Sequence, residues 1–266
     1  MFNYTKYLMV GALAFSSVAM AEYDGMSPED KGKAIFVEAD NRDKGWVDMT
    51  SDMKMILKTA TGEESVRNLR IQSIEVEGDG DKSLTIFDEP ADVRGTAMLT
   101  FSHKPPATDE QWLFLPAVKR TKRIASSNKS GPFMGSEFAY EDMSSQEVEK
   151  YTYKYLKDEQ IDGKDNFVVE KQPIDKSSGY SKQVVWMEKE RYVPSKIEYY
   201  DRKDSHLKTL VPKDYKQYAS KYWRAENLVM DNLQTKKSSV LVWTNIKFGV
   251  GLEAPAFNQK ALERLR

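Results

Sequence analysis

His103 and His206 are the two imidazoles of the chain, and there is no cysteine. Serine-based nucleophilic catalysis would have to recruit one of those imidazoles. Neither is accompanied by a Gly-x-Ser-x-Gly turn or a comparable companion. His103 closes an apolar run beside Lys104-Pro105, and His206 sits in a turn rich in Asp and Lys, so both read as solvent-exposed. Without cysteine there is no disulfide, thiolate metal site or thiol chemistry. No His-x-x-x-His pair, Gly-rich phosphate loop or correctly spaced acidic calcium loop is present. Asp79, Asp81, Asp162 and Asp165 have turn-residue explanations. Asp and Glu occur throughout, so a glycosidase-type carboxylate pair is a question of geometry that spacing does not answer. The chain does not read as an enzyme, and nothing in it calls for a metal or a cofactor.

The first residues read as an export signal. Lys6 is a short positive region, Tyr7 to Val18 is apolar apart from small residues, and Ala19-Met20-Ala21 has the pattern of a cleavage site. The run is shorter than the roughly 18 apolar residues a membrane span needs. A leader over residues 1–21 and a single domain over 22–266 are therefore expected, with a soluble, exported mature protein. Removing the leader takes away one lysine and no acid, leaving 39 basic and 41 acidic residues. That balance argues against nucleic acid as a partner. No Pro/Gly/Ser-rich linker, repeat or low-complexity tract divides the chain, and a core of this size can hold without disulfides.

The elements follow from period and punctuation. Ser27-Pro28-Glu29-Asp30 is a helix start, with a cap, a first-turn proline and acids facing the helix dipole. From Trp46 the period changes to two: Val47, Met49, Met53, Met55 and Leu57 alternate with Asp48, Asp52, Lys54 and other polar residues. Hairpin follows hairpin through turns at Thr61-Gly62, Glu77–Asp81 and Asp162-Gly163. About ten or eleven strands and two or three helices result. Phe257, Ala261, Leu262 and Leu265 suggest a short terminal helix. The methionines suit either a packed core or an adaptable apolar surface.

The stretch Gln111–Asp142 reads as the wall and rim of an apolar pocket. It joins an apolar strand (Trp112–Leu115), four cations within five residues (Lys119, Arg120, Lys122, Arg123) and an aromatic loop (Phe133 to Tyr140). The cations suit a solvated hairpin end, an anionic headgroup site, or a patch for an acidic partner. Arginine forks match phosphate oxygens well.

Four runs carry a resemblance: FDEPADVRGTA (Phe87–Ala97), WLFLPAVKR (Trp112–Arg120), RIASS (Arg123–Ser127) and FMGSEFAYED (Phe133–Asp142). Together they resemble the outer-membrane lipoprotein-sorting protein family, which is similar to the periplasmic lipoprotein carriers of the Lol pathway. The likeness continues through Tyr180–Trp186, Tyr192–Tyr200 and the final strand. Glu137 departs from it, since members usually carry aspartate there, but the charge is kept. The resemblance implies an α+β, mainly β fold: a strongly curved antiparallel sheet forming an open half barrel, with helices over its concave apolar face. It implies a periplasmic carrier or chaperone for acyl chains of a lipoprotein or lipid, working with an inner-membrane transporter of the resistance–nodulation–division type. The competing reading is an accessory subunit of that transporter that carries no lipid. The expected cavity lining is Met53, Met55, Leu57, Leu69, Ile71, Leu99, Trp112, Phe114, Phe133, Met134, Phe138 and Tyr140, drawn from two alternating sets of strand faces. Arg120 and Arg123, which align with family arginines, are the headgroup or partner candidates. Arg94 is a third, or else a structural partner of Asp92 or Glu89.

Overall fold

The computed structural model describes residues 23–262, so the leader expected over residues 1–21 lies outside the described residues. Helix α1 (Pro28–Asp43) opens the described chain. Strands β1 (Asp48–Lys58), β2 (Glu64–Ile74), β3 (Lys82–Glu89), β4 (Ala97–Phe101), β5 (Glu110–Leu115) and β6 (Arg120–Arg123) follow. A segment with several 3-10 turns leads to β7 (Tyr151–Ile161), β8 (Lys164–Pro173), β9 (Tyr180–Glu188), β10 (Pro194–Asp201), β11 (His206–Tyr218), β12 (Tyr222–Asn232) and β13 (Ser238–Phe248). A short α2 (Gln259–Leu262) comes last.

All thirteen strands form one sheet in the order β6-β5-β4-β3-β2-β1-β13-β12-β11-β10-β9-β8-β7. The first and last strands pair at the centre, so the chain meanders out to β6, crosses over, and meanders back from β7. Three of the four clustered cations, Arg120, Lys122 and Arg123, lie on strand β6. Laid flat at about 4.8 Å per strand, β5 and β9 would lie about 43 Å apart. Yet Leu113 of β5 and Tyr180 of β9 belong to the same buried cluster. The sheet is therefore strongly curved, and its edges β6 and β7 do not pair.

Local chemistry explains the elements. Ser27 Oγ accepts the Asp30 N–H at 3.1 Å, capping α1, a bond worth about 1 kcal/mol. Asp162 and Gly163, with φ of 49° and 76°, turn β7 into β8 as a two-residue hairpin. Asp48, expected on the solvent side, is buried and accepts the N–H groups of Val250 and Gly251, which ties down the chain after β13. Among the described residues no helix is long and apolar enough to cross a membrane.

Three covers lie on this sheet. Under α1, Ile35 packs with Tyr153, Phe167, Val169 and Met187. Under the 124–150 segment, Phe133 and Phe138 pack with Met53, Met55, Leu69 and Leu113. On the opposite face of β3–β5, Phe257 and Leu262 cover Leu84, Ile86, Trp112 and Phe114. Helix α1 comes so close to edge strand β7 that a Cβ at Gly32 would lie 2.8 Å from Tyr155 N and 3.0 Å from Lys154 C. Helix propensity alone favours Ala over Gly by about 1 kcal/mol. Crowding against backbone costs about 1–3 kcal/mol. Gly32→Ala is therefore expected to lower stability in chemical denaturation. A more stable variant would show that α1 does not press on β7.

Candidate functional site

A large cavity of about 900 Å³ lies between α1 and the strands β9–β12. Period-two geometry puts Val185 and Met187 of β9 on the face that α1 covers, and Phe36 and Ala39 of the helix close over them. Val193 and Ile197 from β10 and its approach complete an apolar wall.

The rim is polar and holds the helix in place. Arg42 donates to the Glu190 carbonyl at 2.8 Å and lies over the Tyr192 ring. Arg224 pairs with Asp43, and Lys221 donates to the Lys44 carbonyl. Arg191 forks onto Glu188 through Nε and Nη2, at 2.7 and 2.5 Å, and its guanidinium lies about 5 Å from the Tyr215 and Trp223 rings. Burial works to raise the Glu188 carboxyl, but the bonds and charges of Arg191 and Lys164 outweigh it and hold it below the ordinary glutamate value.

Two groups in the cavity wall are out of electrostatic balance. Burial pushes the Asp81 carboxyl up to about 7, and the neighbouring Glu147 charge adds to the shift; a hydrogen bond from the Val76 N–H offsets it only in part. Lys171 of β8 is 4 % exposed. Its Nζ donates to Gln146 Oε1 at 3.2 Å and lies 3.9 Å from the Tyr151 ring centre. Burial pulls its ammonium down to about 7.

A smaller cavity of about 440 Å³ lies between the β4–β5 loop, the 124–150 segment and the starts and ends of β7–β9. Ion pairs bridge this seam: Lys150–Asp109 at 2.8 Å, Lys104–Glu149 at 3.3 Å and Lys129–Asp175 at 2.5 Å.

Comparison with known proteins now has a geometry to match. A domain assigned to outer membrane lipoprotein sorting from Vibrio parahaemolyticus is 56% identical, covers 89% of this chain and 100% of its own, and superposes with a TM-score of 0.87. The chain belongs to the outer membrane lipoprotein-sorting protein family. A DUF1329 family protein from Desulfovibrio piger is 29% identical over 89% of this chain and 100% of its own, with a TM-score of 0.85. A LolA superfamily protein from Nitrosomonas europaea, 22% identical over 86% and 98%, shares the fold with a TM-score of 0.70. A family model described as "Uncharacterized protein"-like matches residues 79–264. No curated protein matches the chain.

In this family member the stretch expected to form the pocket wall is placed differently. Met53, Met55, Leu69, Ile71, Phe133 and Phe138 are buried together, with Leu57, Met134 and Tyr140 packed against them. None of these nine lines the large cavity, and Phe138 lines a separate one of about 650 Å³. The chain's own aromatic loop fills that half of the barrel. Leu99, Trp112 and Phe114 lie on the other face of the sheet, under Phe257 and Leu262. The reason is parity: Met98 and Leu113 pair with each other and face inward, so their neighbours face outward.

The arginines also separate. Arg94 is exposed and donates to the Asp88 carbonyl at 3.0 Å, not to Asp92 or Glu89. Arg120 and Arg123 sit exposed on edge strand β6, Arg123 paired with Glu110 at 2.8 Å. None of the three lines the large cavity. Charges on an edge strand discourage edge-to-edge association. The histidines are not free imidazoles either. His103 Nδ1 lies 2.7 Å from Asp79, whose carboxyl is held at about 2, where burial is outweighed by bonds from Lys104 N–H and His103. His206 stacks on Tyr200. Among the described residues no group of three or more His, Asp or Glu is placed to hold a metal ion.

The sequence does not single out Lys171, and it presents Asp81 as a turn residue. Lys171 shares parity with Phe167 and Val169, which was a usable signal. Adjacent Val168 blurred it, because β8 is apolar on both faces. For Asp81, the raised pKa means that the folded state keeps its proton to higher pH than the unfolded chain. The cost of ionising it grows as pH rises from about 4 and is complete above about 7. Asp81→Asn is expected to raise Tm at about pH 8 and to leave it nearly unchanged at about pH 4; a gain equal at both pH values would show that the carboxylate is not the cause.

Proposed function

We propose that this protein is a periplasmic carrier that shelters acyl chains of a lipoprotein or lipid in the cavity beneath α1, for delivery to the outer membrane. The observation that carries the reading is the cavity of about 900 Å³ with an apolar wall and a cationic and acidic rim. That size is in the range of small-molecule sites. Each buried methylene contributes about 0.8 kcal/mol. Ten of them supply about 8 kcal/mol, the free energy of a micromolar complex. Family membership and the open-barrel fold support the same role. Receipt of cargo from a resistance–nodulation–division type transporter is part of the proposal, and exposed edge strand β6 is a surface such a partner could meet.

Loading requires a cover that moves. Helix α1 fully buries only a narrow stripe around Gly32 and Ile35. Its C-terminal half is held to the sheet by partly exposed contacts, Arg224 with Asp43 and Arg42 with the Glu190 carbonyl, and partly exposed ion pairs are individually worth about 0–1 kcal/mol. The helix is the natural lid.

Native mass spectrometry of protein taken from the periplasm is expected to show bound amphiphile, and the apo protein to take up a fluorescent fatty acid. Ala39→Trp, which fills the cavity from the helix, is expected to cut uptake at least tenfold. Phe114→Ala is expected to cost stability by about 3–5 kcal/mol yet leave uptake by the folded fraction unchanged. Clean apo protein with no uptake would reject the carrier reading. It would favour the accessory-subunit role.

The chain has no cysteine, so cysteines introduced as Asp43→Cys and Arg224→Cys can be joined without side reactions. A reducible bifunctional linker between them is expected to abolish uptake, and reduction to restore it. Full uptake with the linker in place would remove α1 from the role of lid.

A further inference from the structure

Lys171 is the one ammonium in the cavity wall that reaches it from beneath the lid instead of from the rim. On β8 it pairs with Tyr153 of β7 and Gln183 of β9, so it projects from the same face as Val169 and Val185. It is 4 % exposed. An ammonium has three donors. Here one hydrogen bond is made, to Gln146 Oε1 at 3.2 Å. That oxygen already accepts the Tyr151 hydroxyl at 2.6 Å, and Gln146 Nε2 is turned away to the Ser144 carbonyl. The faces of Tyr151, at 3.9 Å, and Phe36, at 5.5 Å, supply the rest of its surroundings. Asp142, which acts on Lys171 from a distance, is committed to Lys208, Tyr180 and the Ala139 N–H. No carboxylate among the described residues lies within ion-pair distance of Lys171.

A buried ammonium without a counter-ion is expensive, and burial pulls Lys171 toward the neutral amine. A bound anion would supply the counter-ion, so a cavity that holds a lysine there and aligns apolar side chains beside it suits a ligand with an acidic end. An acyl chain along Phe36, Val185 and Met187 would end at Lys171 if its polar end entered first.

We propose that the cavity is a site for an anionic amphiphile, whose carboxylate or phosphate oxygen accepts hydrogen bonds from Lys171 Nζ while its chain lies along the apolar wall. This rests on the carrier reading and goes beyond it. The acyl chains of a lipoprotein carry no charge at their free ends, so a buried ammonium selects a ligand with an acidic end.

The test measures binding of palmitate, cetyl phosphate and cetyl alcohol to the full mature protein and to Lys171→Met, a substitution that keeps the stem and removes the charge. Wild type is expected to bind at least one of the two anions tenfold or more tightly than the alcohol. In Lys171→Met that preference is expected to vanish while alcohol binding stays. Preference for palmitate alone assigns a carboxylate ligand, and preference for cetyl phosphate alone a phosphate. Equal affinity of wild type for all three overturns the role of Lys171 and leaves the carrier reading standing. No binding of any of the three overturns both. Should Lys171→Met fail to fold, wild type still decides the matter. Nitrogen-detected NMR of the Lys171 side chain is expected to show its titration move to higher pH when the preferred anion saturates the site. An unmoved titration overturns the proposal.

Discussion

The buried ion pair between Lys208 on β11 and Asp142 in the 124–150 segment is the contact that the arrangement of this molecule depends on. Both side chains are under one-tenth exposed and meet at 2.8 Å. Asp142 also accepts the Tyr180 hydroxyl and the Ala139 N–H, and Lys208 donates to the Glu137 carbonyl between the Tyr180 and Tyr199 rings. Such a pair adds little stability over apolar packing, but losing one partner strands the other at a cost of about 3–5 kcal/mol. Its effect is therefore on geometry. It fixes the crossing segment in one register against β9 and β11, and Phe133 and Phe138 are seated by the same contacts.

That seating divides the interior. Where Phe133 and Phe138 lie, Met53, Met55, Leu69 and Leu113 have a partner from within the chain, and the space is filled. Beyond the segment the concave face is covered by α1 and by Tyr23 ahead of it, and there the large cavity remains. The two edges also differ. Strand β7 is pressed by α1 at Gly32, whereas β6 ends the strand order of the sheet and carries Arg120, Lys122 and Arg123.

Much of the fold was legible because period and punctuation are local. The capped start of α1, the alternation of β1 and the Asp162-Gly163 turn each needed only neighbouring residues. The motif runs from Phe87 to Asp142 then named the architecture. The pocket was not legible, for a physical reason. Alternation says that Trp112 and Leu113 face opposite ways, but not which face is inside. That depends on what the distant Phe257 and Leu262 cover. Nor does an aromatic loop announce whether it lines a space or fills it. Lys171 and Asp81 acquire their chemistry from burial, which β8 and the β2–β3 turn acquire only when α1 and the crossing segment close over them.

The two inner covers differ in how they are held, and under the proposed function this difference decides where cargo would be exchanged. Freeing the crossing segment would expose Phe133 and Phe138 and break the buried Lys208–Asp142 pair, a larger cost than moving α1. Tilting the C-terminal half of α1 breaks contacts that water readily replaces, such as Arg42 to the Glu190 carbonyl. It uncovers mainly half-buried side chains such as Phe36 and Ala39. With about 0.8 kcal/mol returned per methylene buried, a few methylenes offset that opening. On the proposed carrier function, the filled half of the barrel is the fixed frame and the half beneath α1 is where cargo would enter and leave.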